Sequence, residues 1–363
     1  MKIVIDLTAI SYHLSGIERY ALCISEKLLK QDKLNQYILV FRNNVDDTFL
    51  GLIDEKRIKT IVLKGNNKFL FYQWTLYKEL SKIDADKFLF FSFNSPILFR
   101  KKGIINTIHD MGPWDASEGM KILQKWYWKI SIINASKVSE KILTVSVFSK
   151  HRIKEILNIK DDLIYVIPSG VYDNLNKAGD IMPFEKIKTK YKLPSKYIMN
   201  LSTIEPRKNL QLLLSAFSKV KNKVEYDLVL VGRKGWNMDS ICEQYKLQNR
   251  IHITGFVEDK DISSIYQNSL CFVFTSLYEG FGLPPLEALA LGTPVISSNA
   301  ASLPEVLMDR ATYFESNNEN ELIKLLENLE NNLYKMNKEV NEYQKDNYNF
   351  ETSARKIINI INR

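Results

Sequence analysis

The segment Ser276–Glu287 combines carboxylates, glycines and prolines in one short stretch. Two carboxylates, Glu279 and Glu287, stand eight positions apart and enclose a Gly-x-Gly turn. A strand-like apolar run precedes the segment, and a pair of prolines opens an apolar run at its end. Proline fits the first turn of a helix, where its missing N–H is not needed, and the free N–H groups of a helix start attract phosphate. The pattern therefore predicts a strand, an acidic loop and a helix around a nucleotide-sugar site.

The residues between the two carboxylates are the predicted walls of this site. Gly280 and Gly282 allow the backbone to come close to a ligand, and Phe281, Leu283 and Pro284 complete the turn into the helix. Of the two carboxylates, the one inside the helix would hold ribose hydroxyls and the one in the loop would hold a sugar.

Two adjacent cations, Arg207 and Lys208, lie where a predicted strand meets a predicted helix. Arginine offers a planar fork of donors and lysine offers a compact charge, and both bind phosphate. Fixed cations at this position would stabilise the negative charge on a leaving diphosphate. A solvated pair is the alternative, but cations at a helix N-terminus oppose the helix dipole, which favours a bound anion.

Three further candidates lie in the first half of the chain. His109 and Asp110 follow the apolar residues of a predicted strand, and parallel α/β sheets bind ligands at the carboxyl ends of their strands. His109 could hydrogen-bond a sugar hydroxyl or steady charge at an anomeric carbon, although a lone histidine is as often a satisfied structural side chain. Asp110 could cap a turn. Gly16 would stand at the start of the first helix, where backbone can approach a phosphate or an acceptor.

Short apolar runs alternate with longer amphipathic stretches along the chain, which is typical of parallel sheets covered by helices on both faces. The predicted strands are Lys2–Asp6, Tyr37–Phe41, Thr60–Leu63, Lys87–Phe91, Ile104–His109, Ile142–Val145 and Leu163–Ile167, then Tyr197–Ser202, Tyr226–Val231, Arg250–Thr254, Leu270–Thr275 and Pro294–Ser297. The predicted helices include Gly16–Lys30, Phe69–Ser81, Lys121–Lys137, Leu210–Lys221, Ser240–Tyr245, Lys260–Gln267 and Pro285–Leu291.

A chain of 363 residues exceeds what one hydrophobic core usually supports, so two domains are expected. The polar stretch Tyr172–Pro194 separates the two sets of strands and is interpreted as the connection. We expect an α/β fold of two doubly wound, Rossmann-like domains over residues 1–173 and 174–347. The active site would lie in a cleft across which the two domains face each other. Residues 348–363 are expected to form a last helix.

Charge narrows the classes of partner. Residues 1–173 contain 26 Lys and Arg against 19 Asp and Glu, a balance of +7, whereas the remainder contains 24 against 23, a balance of +1. A basic first half would attract an anionic surface such as a bilayer or a lipid diphosphate. An equally weighted alternative is that the positive balance reflects only a general abundance of solvated lysines. The lysines are dispersed, and the chain has no zinc-finger or RNA-binding aromatic signature, so nucleic acid is not expected as a partner.

The expected location is the cytoplasm. No apolar run approaches the roughly 18 residues of a membrane-spanning helix, the apolar N-terminus is too short for a signal peptide, and three scattered cysteines fit a reducing compartment. No Asp-x-Asp follows a predicted strand and the four histidines are far apart, so no metal cofactor is expected. The aromatic and basic stretches Phe69–Leu80 and Gln124–Ile133 leave three alternatives open: packing in the core, an acceptor groove, or contact with a membrane surface.

The order of these motifs resembles retaining glycosyltransferase family 4, the glycosyl transferases group 1, which has the two-domain GT-B fold. The resemblance rests on His-Asp at 109–110, Arg-Lys-Asn at 207–209, and E-x7-E with Glu-Gly-Phe-Gly-Leu-Pro inside it. It departs from the usual pattern at Ser15, where a second glycine is common, and at Ser169 and Tyr172, where Asn and Asp are usual.

The resemblance implies where each part of the substrate binds. The donor site would lie mainly in the second domain, the acceptor site in the first, and the last helix would pack back on the first domain. His109 would face the donor sugar's C6 hydroxyl, and Arg207 and Lys208 would hold the diphosphate. The backbone of the loop that contains Val257 would meet the nucleotide base, which leaves the identity of the base unreadable from side chains.

The sequence therefore predicts a retaining, metal-independent glycosyltransferase, with His109, Arg207, Lys208 and Glu279 as its catalytic residues and no cofactor. It would move mannose or a similar hexose from a nucleotide diphosphate sugar to a saccharide or lipid-diphosphate-linked acceptor. The product would belong to a bacterial surface polysaccharide such as O-antigen, capsule or exopolysaccharide, made at the cytoplasmic face of the inner membrane. Two alternatives remain open: another GT-B enzyme such as a nucleotide-sugar epimerase, and a non-catalytic scaffold that binds nucleotide sugar or glycan.

Overall fold

The computed structural model describes residues 1–10, 14–53, 56–171, 183–201, 205–232, 245, 247, 249–332 and 348–363. The chain divides into two compact units, the first formed by Met1–Gly170 with Asp346–Arg363 and the second by Val171–Lys345. Each unit is built on one sheet whose described strand pairs are parallel. This architecture confirms the prediction of two doubly wound α/β domains.

The sheet of the first unit has seven strands in the order β3-β2-β1-β4-β5-β6-β7. The strands are β1 (Lys2–Asp6), β2 (Gln36–Arg42), β3 (Ile58–Leu63), β4 (Lys87–Phe90), β5 (Ile104–Thr107), β6 (Lys141–Thr144) and β7 (Ile164–Val166). In register, Ile3 of β1 lies opposite Tyr37 on one side and Lys87 on the other. The strand order reverses between β1 and β4, and such a switch point opens a crevice at the carboxyl ends of the strands.

Helices connect these strands. They are α1 (Gly16–Gln31), α2 (Lys68–Leu70), α3 (Tyr77–Lys82), α4 (Gly112–Asp115), α5 (Ile122–Val138) and α6 (Val147–Leu157), with a π-helical turn at Phe71–Leu76 and 3-10 turns at Asp47–Phe49 and Asp161–Leu163. A capping box begins α1, because the Ser15 backbone N–H donates to Glu18 at 2.8 Å and the Glu18 N–H donates to the Ser15 hydroxyl. Glu18 therefore has a structural role at the helix start.

The second unit repeats the same plan with six strands in the order β10-β9-β8-β11-β12-β13. The strands are β8 (Tyr197–Leu201), β9 (Asp227–Val231), β10 (Ile251–Gly255), β11 (Cys271–Phe274), β12 (Val295–Ser298) and β13 (Thr312–Phe314). The helices are α7 (Phe184–Tyr191), α8 (Leu210–Val220), α9 (Asp259–Gln267), α10 (Leu283–Ala290), α11 (Leu303–Leu307) and α12 (Glu319–Glu327), with 3-10 turns at Pro206–Lys208 and Met308–Arg310. Ile198 of β8 lies opposite both Leu228 and Cys271, so the order reverses between β8 and β11.

The last helix, α13 (Phe350–Ile361), lies against α1 in the first unit. Its buried residues include Phe350, whose ring is 6.1 Å from that of Tyr20. The Ser353 hydroxyl donates to the Pro168 carbonyl at 2.8 Å, and the Lys141 ammonium donates to the Ile360 carbonyl. The end of the described chain is thus part of the first unit's core.

Several boundaries differ from those expected. β5 ends at Thr107, so His109 lies two residues beyond the strand in which it was predicted. Helix α7 and the residues after it fall inside the stretch read as an aperiodic connection, and residues 172–182 of that stretch lie outside the described residues. The predicted helix Ser240–Tyr245 also lies outside them, apart from its last residue.

In the described part of the chain, no helix is long and apolar enough to cross a membrane.

Gly103, which begins the approach to β5, has a backbone that other residues cannot adopt without strain. Its φ is +73°, and a Cβ there would lie 2.0 Å from the carbonyl oxygen of Asp86. We expect Gly103→Ala to lower the free energy of unfolding by about 3 kcal/mol or more, because left-handed strain and a backbone clash add together.

Gly292→Ala is the matched control for that substitution. Gly292 has a similar φ of +80° but no heavy atom within 4 Å of the added Cβ, so only the left-handed strain of about 1–2 kcal/mol applies. Thermal and urea unfolding of both variants measure the difference. Equal destabilisation by the two substitutions would contradict the clash at Gly103.

Candidate active site

The reversal of strand order in the second unit explains why residues far apart in sequence meet. Arg207 and Lys208 lie in the 3-10 turn that follows β8, and Glu279 lies in the loop that follows β11. Because β8 and β11 are neighbours and parallel, both loops leave the same edge of the sheet. The two motifs singled out in the sequence therefore form one cluster.

The carboxylate of Glu279 bridges the two cations. Lys208 Nζ is 2.6 Å from Glu279 Oε1, and Arg207 Nη1 is 3.2 Å from Glu279 Oε2. Arg207 also donates from Nε to Glu205 at 2.8 Å and from Nη1 to the Tyr278 carbonyl at 3.2 Å. The side chains of Glu279 and Lys208 are about one-tenth exposed, whereas that of Arg207 is 27% exposed.

The protonation state of Glu279 follows from this arrangement. Burial acts to raise the pKa of the Glu279 carboxyl, but the positive charges of Lys208 and Arg207 and the hydrogen bond from Lys208 outweigh burial, so the pKa is lowered. Glu279 is therefore ionised at neutral pH. Because Glu205 also pairs with Arg207, the cluster consists of two cations and two carboxylates.

Backbone bonds fix the two loops to each other. The Leu277 N–H donates to the Arg207 carbonyl at 2.7 Å, and the Thr275 hydroxyl lies within hydrogen-bonding distance of the Lys208 carbonyl at 3.0 Å. The Ser302 hydroxyl donates to the Glu279 carbonyl at 2.9 Å. The cations and the carboxylate are consequently held by their main chains as well as by each other.

The glycine turn after Glu279 leads into α10 as expected. Gly282 caps the helix with φ +93°, and a Cβ at this position would lie 2.6 Å from Cδ2 of Leu303. Only glycine fits there without strain. The half-buried Leu283 and Pro284 occupy the first turn, and Glu287 is buried inside the helix, one turn from its start.

The other predicted residues of the second unit are distributed around these elements. Gly280 and Phe281 are buried in the loop between Glu279 and Gly282. Val257 is also buried and lies between β10 and α9, two residues after Gly255, which has a φ of +72°.

In the first unit, His109 follows β5 and is held by its surroundings. Its Nε2 is 2.8 Å from the Phe91 carbonyl oxygen, and its ring meets that of Tyr20 edge to face at 5.1 Å. Burial lowers the pKa of His109, so the imidazole is neutral at pH 7. A carbonyl oxygen only accepts hydrogen bonds, so Nε2 carries the proton and Nδ1 is the acceptor.

Asp110 and Gly16 have the positions that the sequence suggested. Asp110 Oδ1 accepts a hydrogen bond from the Gly112 N–H at 2.8 Å, which caps the turn into α4. Gly16 is exposed and is the first residue of α1.

A cavity of about 250 Å³ adjoins His109 and Asp110, next to the switch point of the first sheet. The apolar part of its lining includes Ile17, Phe93 and Trp128. Its polar lining includes Ser92, Asn94 and Thr107. Ser92 Oγ, Asn94 Oδ1 and Thr107 Oγ1 are buried and have no hydrogen-bond partner among the described residues.

Sequence reasoning did not select these cavity residues. The sequence does contain a signal for them, the run Ser92-Phe93-Asn94-Ser95 directly after a predicted strand. Polar residues at the carboxyl end of a parallel strand mark the ligand-binding edge of a sheet. Aromatic and polar side chains lining one cavity, with buried polar atoms left unpaired, suit a ligand that has both apolar faces and hydroxyl groups. In the described part of the chain, no group of three or more His, Cys, Asp or Glu side chains could hold a metal ion.

Comparisons with known proteins find a matching family model and several relatives. The family model described as glycosyl transferases group 1 matches residues 183–347. O-antigen chain mannosyltransferase B of Escherichia coli is 28% identical over 342 residues, which cover 87% of each chain. The serotype-specific mannosyltransferase WbdA of Escherichia coli is 34% identical over 177 residues, covering 47% of this chain and 22% of WbdA.

A solved structure with the same architecture comes from Anabaena. It is HepE in complex with UDP and glucose, with a TM-score of 0.75 over 100% of this chain and 99% of HepE. The two sequences are 16% identical, so this likeness shows the shared fold alone.

The lowered pKa of Glu279 leads to a prediction about stability. We expect Glu279→Gln to lower the free energy of unfolding at neutral pH by about 3 kcal/mol, because it leaves the mostly buried Lys208 without its countercharge. A carboxylate with a lowered folded pKa stabilises the protein above its unfolded pKa, about 4.3. That contribution is lost as pH falls through the folded pKa.

Thermal unfolding of the wild type and Glu279→Gln between neutral and acid pH tests this expectation. The gap between the two proteins should narrow as the pH falls. Glu225→Gln is the control, since the Glu225 side chain is 88% exposed and should have little effect at any pH. A gap that stays constant down to acid pH would contradict the ion-pair origin of the stability.

Proposed function

Because this chain is a glycosyltransferase of the GT-B fold, we propose that it moves mannose or a similar hexose from a nucleotide diphosphate sugar to a saccharide or lipid-linked acceptor. The reaction would contribute to a bacterial surface polysaccharide, the class of product made by the O-antigen mannosyltransferase of Escherichia coli to which the chain is similar. The observation that carries the proposal is the cluster of Arg207, Lys208 and Glu279 at the switch point of the second sheet.

In this proposal the second unit binds the donor. Arg207 and Lys208 hold the diphosphate through their charged donors. Glu287 holds the ribose and Glu279 positions the sugar. Glu279 also keeps the two cations in place before the donor arrives, so little reorganisation is needed when negative charge develops.

The proposed reaction proceeds with retention and without a metal ion. The bond between the anomeric carbon and the diphosphate oxygen breaks as the acceptor oxygen forms a bond to the same face of that carbon. The acceptor proton passes to an oxygen of the departing diphosphate. Arg207 and Lys208 stabilise the additional negative charge that develops on that leaving group, which is the task a divalent cation performs in metal-dependent transferases.

The first unit binds the acceptor in this proposal. The cavity beside His109 offers the ring faces of Phe93 and Trp128 and the polar groups of Asn94 and Asp110. Aromatic faces and buried polar groups together suit a sugar ring. The neutral His109, with Nδ1 as an acceptor, can receive a hydrogen bond from a sugar hydroxyl.

We also propose that the protein works as a peripheral protein on the cytoplasmic face of the inner membrane.

A donor assay tests the function directly. Purified protein with an oligosaccharide acceptor is given GDP-mannose, UDP-glucose or another nucleotide sugar, and product and released nucleotide are measured. We expect transfer from one donor, an α-linked product by NMR when the donor sugar is α, and full activity with a chelator present. Inversion of the anomeric carbon would overturn retention, and loss of activity with chelator would overturn metal independence. Acceptor-independent conversion of the donor would favour an epimerase.

The cation cluster predicts the effect of single substitutions. We expect Arg207→Ala and Lys208→Ala each to lower kcat by about 10²–10³-fold, because each removes a donor aimed at the developing charge. Lys223→Ala is the matched control, since Lys223 pairs with Glu327 on an exposed surface of the same unit. Thermal unfolding of each variant separates lost chemistry from lost stability. Rates close to wild type for both Arg207→Ala and Glu279→Ala would overturn these roles.

A further inference from the structure

The solvent-exposed side of α5 is apolar. Ile122, Trp126, Ile130 and Ile133 recur at spacings of three and four residues, which places them on one face of the helix. Their exposed fractions are 75%, 59%, 50% and 37%, and that of the adjacent Leu123 is 85%. A helix on the surface of a soluble domain normally turns such a face toward the core.

Two other exposed apolar segments lie beside this helix. In 68–78, Phe69, Leu70 and Trp74 are 55–61% exposed. The Phe69 ring is 5.3 Å from that of Tyr127 on α5. The Gln73 amide donates to the Tyr127 hydroxyl at 3.0 Å.

The segment 97–102 joins the other two. The Ile97 N–H donates to Gln73 Oε1 at 2.8 Å, and Arg100 donates to Asn134 of α5 at 2.8 Å. Leu98 in this segment is 59% exposed. Residues 68–78, 97–102 and 121–137 thus form one continuous surface, which we call the aromatic-basic face.

The charge of the aromatic-basic face has a single sign. Its three segments contain nine lysines and arginines and no aspartate or glutamate. Lys78 Nζ lies 4.5 Å from the ring centre of Trp74, and Lys129 Nζ lies 5.9 Å from that of Trp126. Cations next to exposed indole rings bring positive charge and apolar area to the same place.

We propose that the aromatic-basic face docks this protein on an anionic lipid bilayer. Exposed Trp, Leu and Ile side chains can enter the boundary between headgroups and acyl chains, while the surrounding lysines attract anionic headgroups. A second copy of the same face would bring nine cations against nine cations, which disfavours self-association.

This inference deepens the membrane contact in the proposed function and rests on it for its biological meaning. Helix α5 carries Trp126 on the aromatic-basic face and Trp128, two residues later, in the lining of the cavity. A protein docked by this face therefore holds the cavity within a helix diameter of the headgroups.

Vesicle co-sedimentation of the full chain tests the docking surface. The vesicles are phosphatidylcholine alone, or phosphatidylcholine mixed with phosphatidylglycerol, without any sugar. The wild type should bind the mixed vesicles and release as salt is raised. The double variants Leu123→Ser/Trp126→Ser and Lys121→Glu/Lys125→Glu should each bind at least about tenfold more weakly. Leu34→Ser and Lys59→Glu change exposed residues outside the face and should bind as the wild type does.

Vesicle binding and sugar transfer are measured separately, so failure of the docking surface can be distinguished from failure of the proposed reaction. All variants should keep wild-type thermal unfolding and wild-type transfer to a soluble acceptor, because the substituted side chains are not part of the proposed site. Absence of wild-type binding to mixed vesicles, or equal binding by the face variants and the controls, would overturn the docking surface. Concentration-dependent self-association in sedimentation velocity, abolished by the same face variants, would overturn it in favour of a dimer interface. If the wild type binds mixed vesicles but transfers no sugar, that result would instead count against the proposed glycosyl transfer and leave the docking surface supported.

Discussion

An ionised carboxylate that is nine-tenths buried needs compensating charge close to it, and this constraint governs the second unit. Glu279 satisfies it through Lys208 and Arg207. Neither cation is near Glu279 in sequence, so the pairing requires β8 and β11 to be neighbours and their loops to be hydrogen-bonded to each other. The reversal of strand order makes β8 and β11 neighbours. Gly282, which caps α10 with a positive φ, then changes the direction of the chain directly after Glu279 and its loop. Topology, loop geometry and electrostatics thus depend on one another.

The fold was predictable because its signals are local. Short runs rich in Ile, Val, Leu and Phe mark the parallel strands, and the prolines of α10 mark a helix start. What the sequence did not predict was that Glu279 would neutralise part of the charge of Arg207 and Lys208. That pairing spans about 70 residues and depends on strand order, which periodicity does not encode. The predicted β5 extended two residues too far, because the apolar Ile108 continues the sequence pattern beyond Thr107, where the strand ends.

The cavity and the aromatic-basic face show a different limit of sequence reading. The period of apolar residues on α5 is the same whether that side meets the core or solvent, so the sequence favoured packing in a core or lining of a groove but left contact with a membrane open. The structure shows which of these residues are buried and which are exposed. Ile132 is buried, Trp128 lines the cavity, and Trp126 is exposed. One helix therefore carries buried, cavity-lining and exposed side chains, so its pattern alone does not assign the whole helix to one environment.

The two cations of the proposed donor site are not equivalent, and burial explains why. Lys208 is 11% exposed, lies 2.6 Å from Glu279 and has its ammonium over the Phe274 ring. Its positive charge therefore interacts mainly with groups of the protein. Arg207 is 27% exposed, and its planar guanidinium suits bidentate binding of phosphate oxygens. In the proposed reaction Arg207 is accordingly the group that meets the diphosphate first. Lys208 acts partly through Glu279, because an unpaired carboxylate at this position would repel the donor.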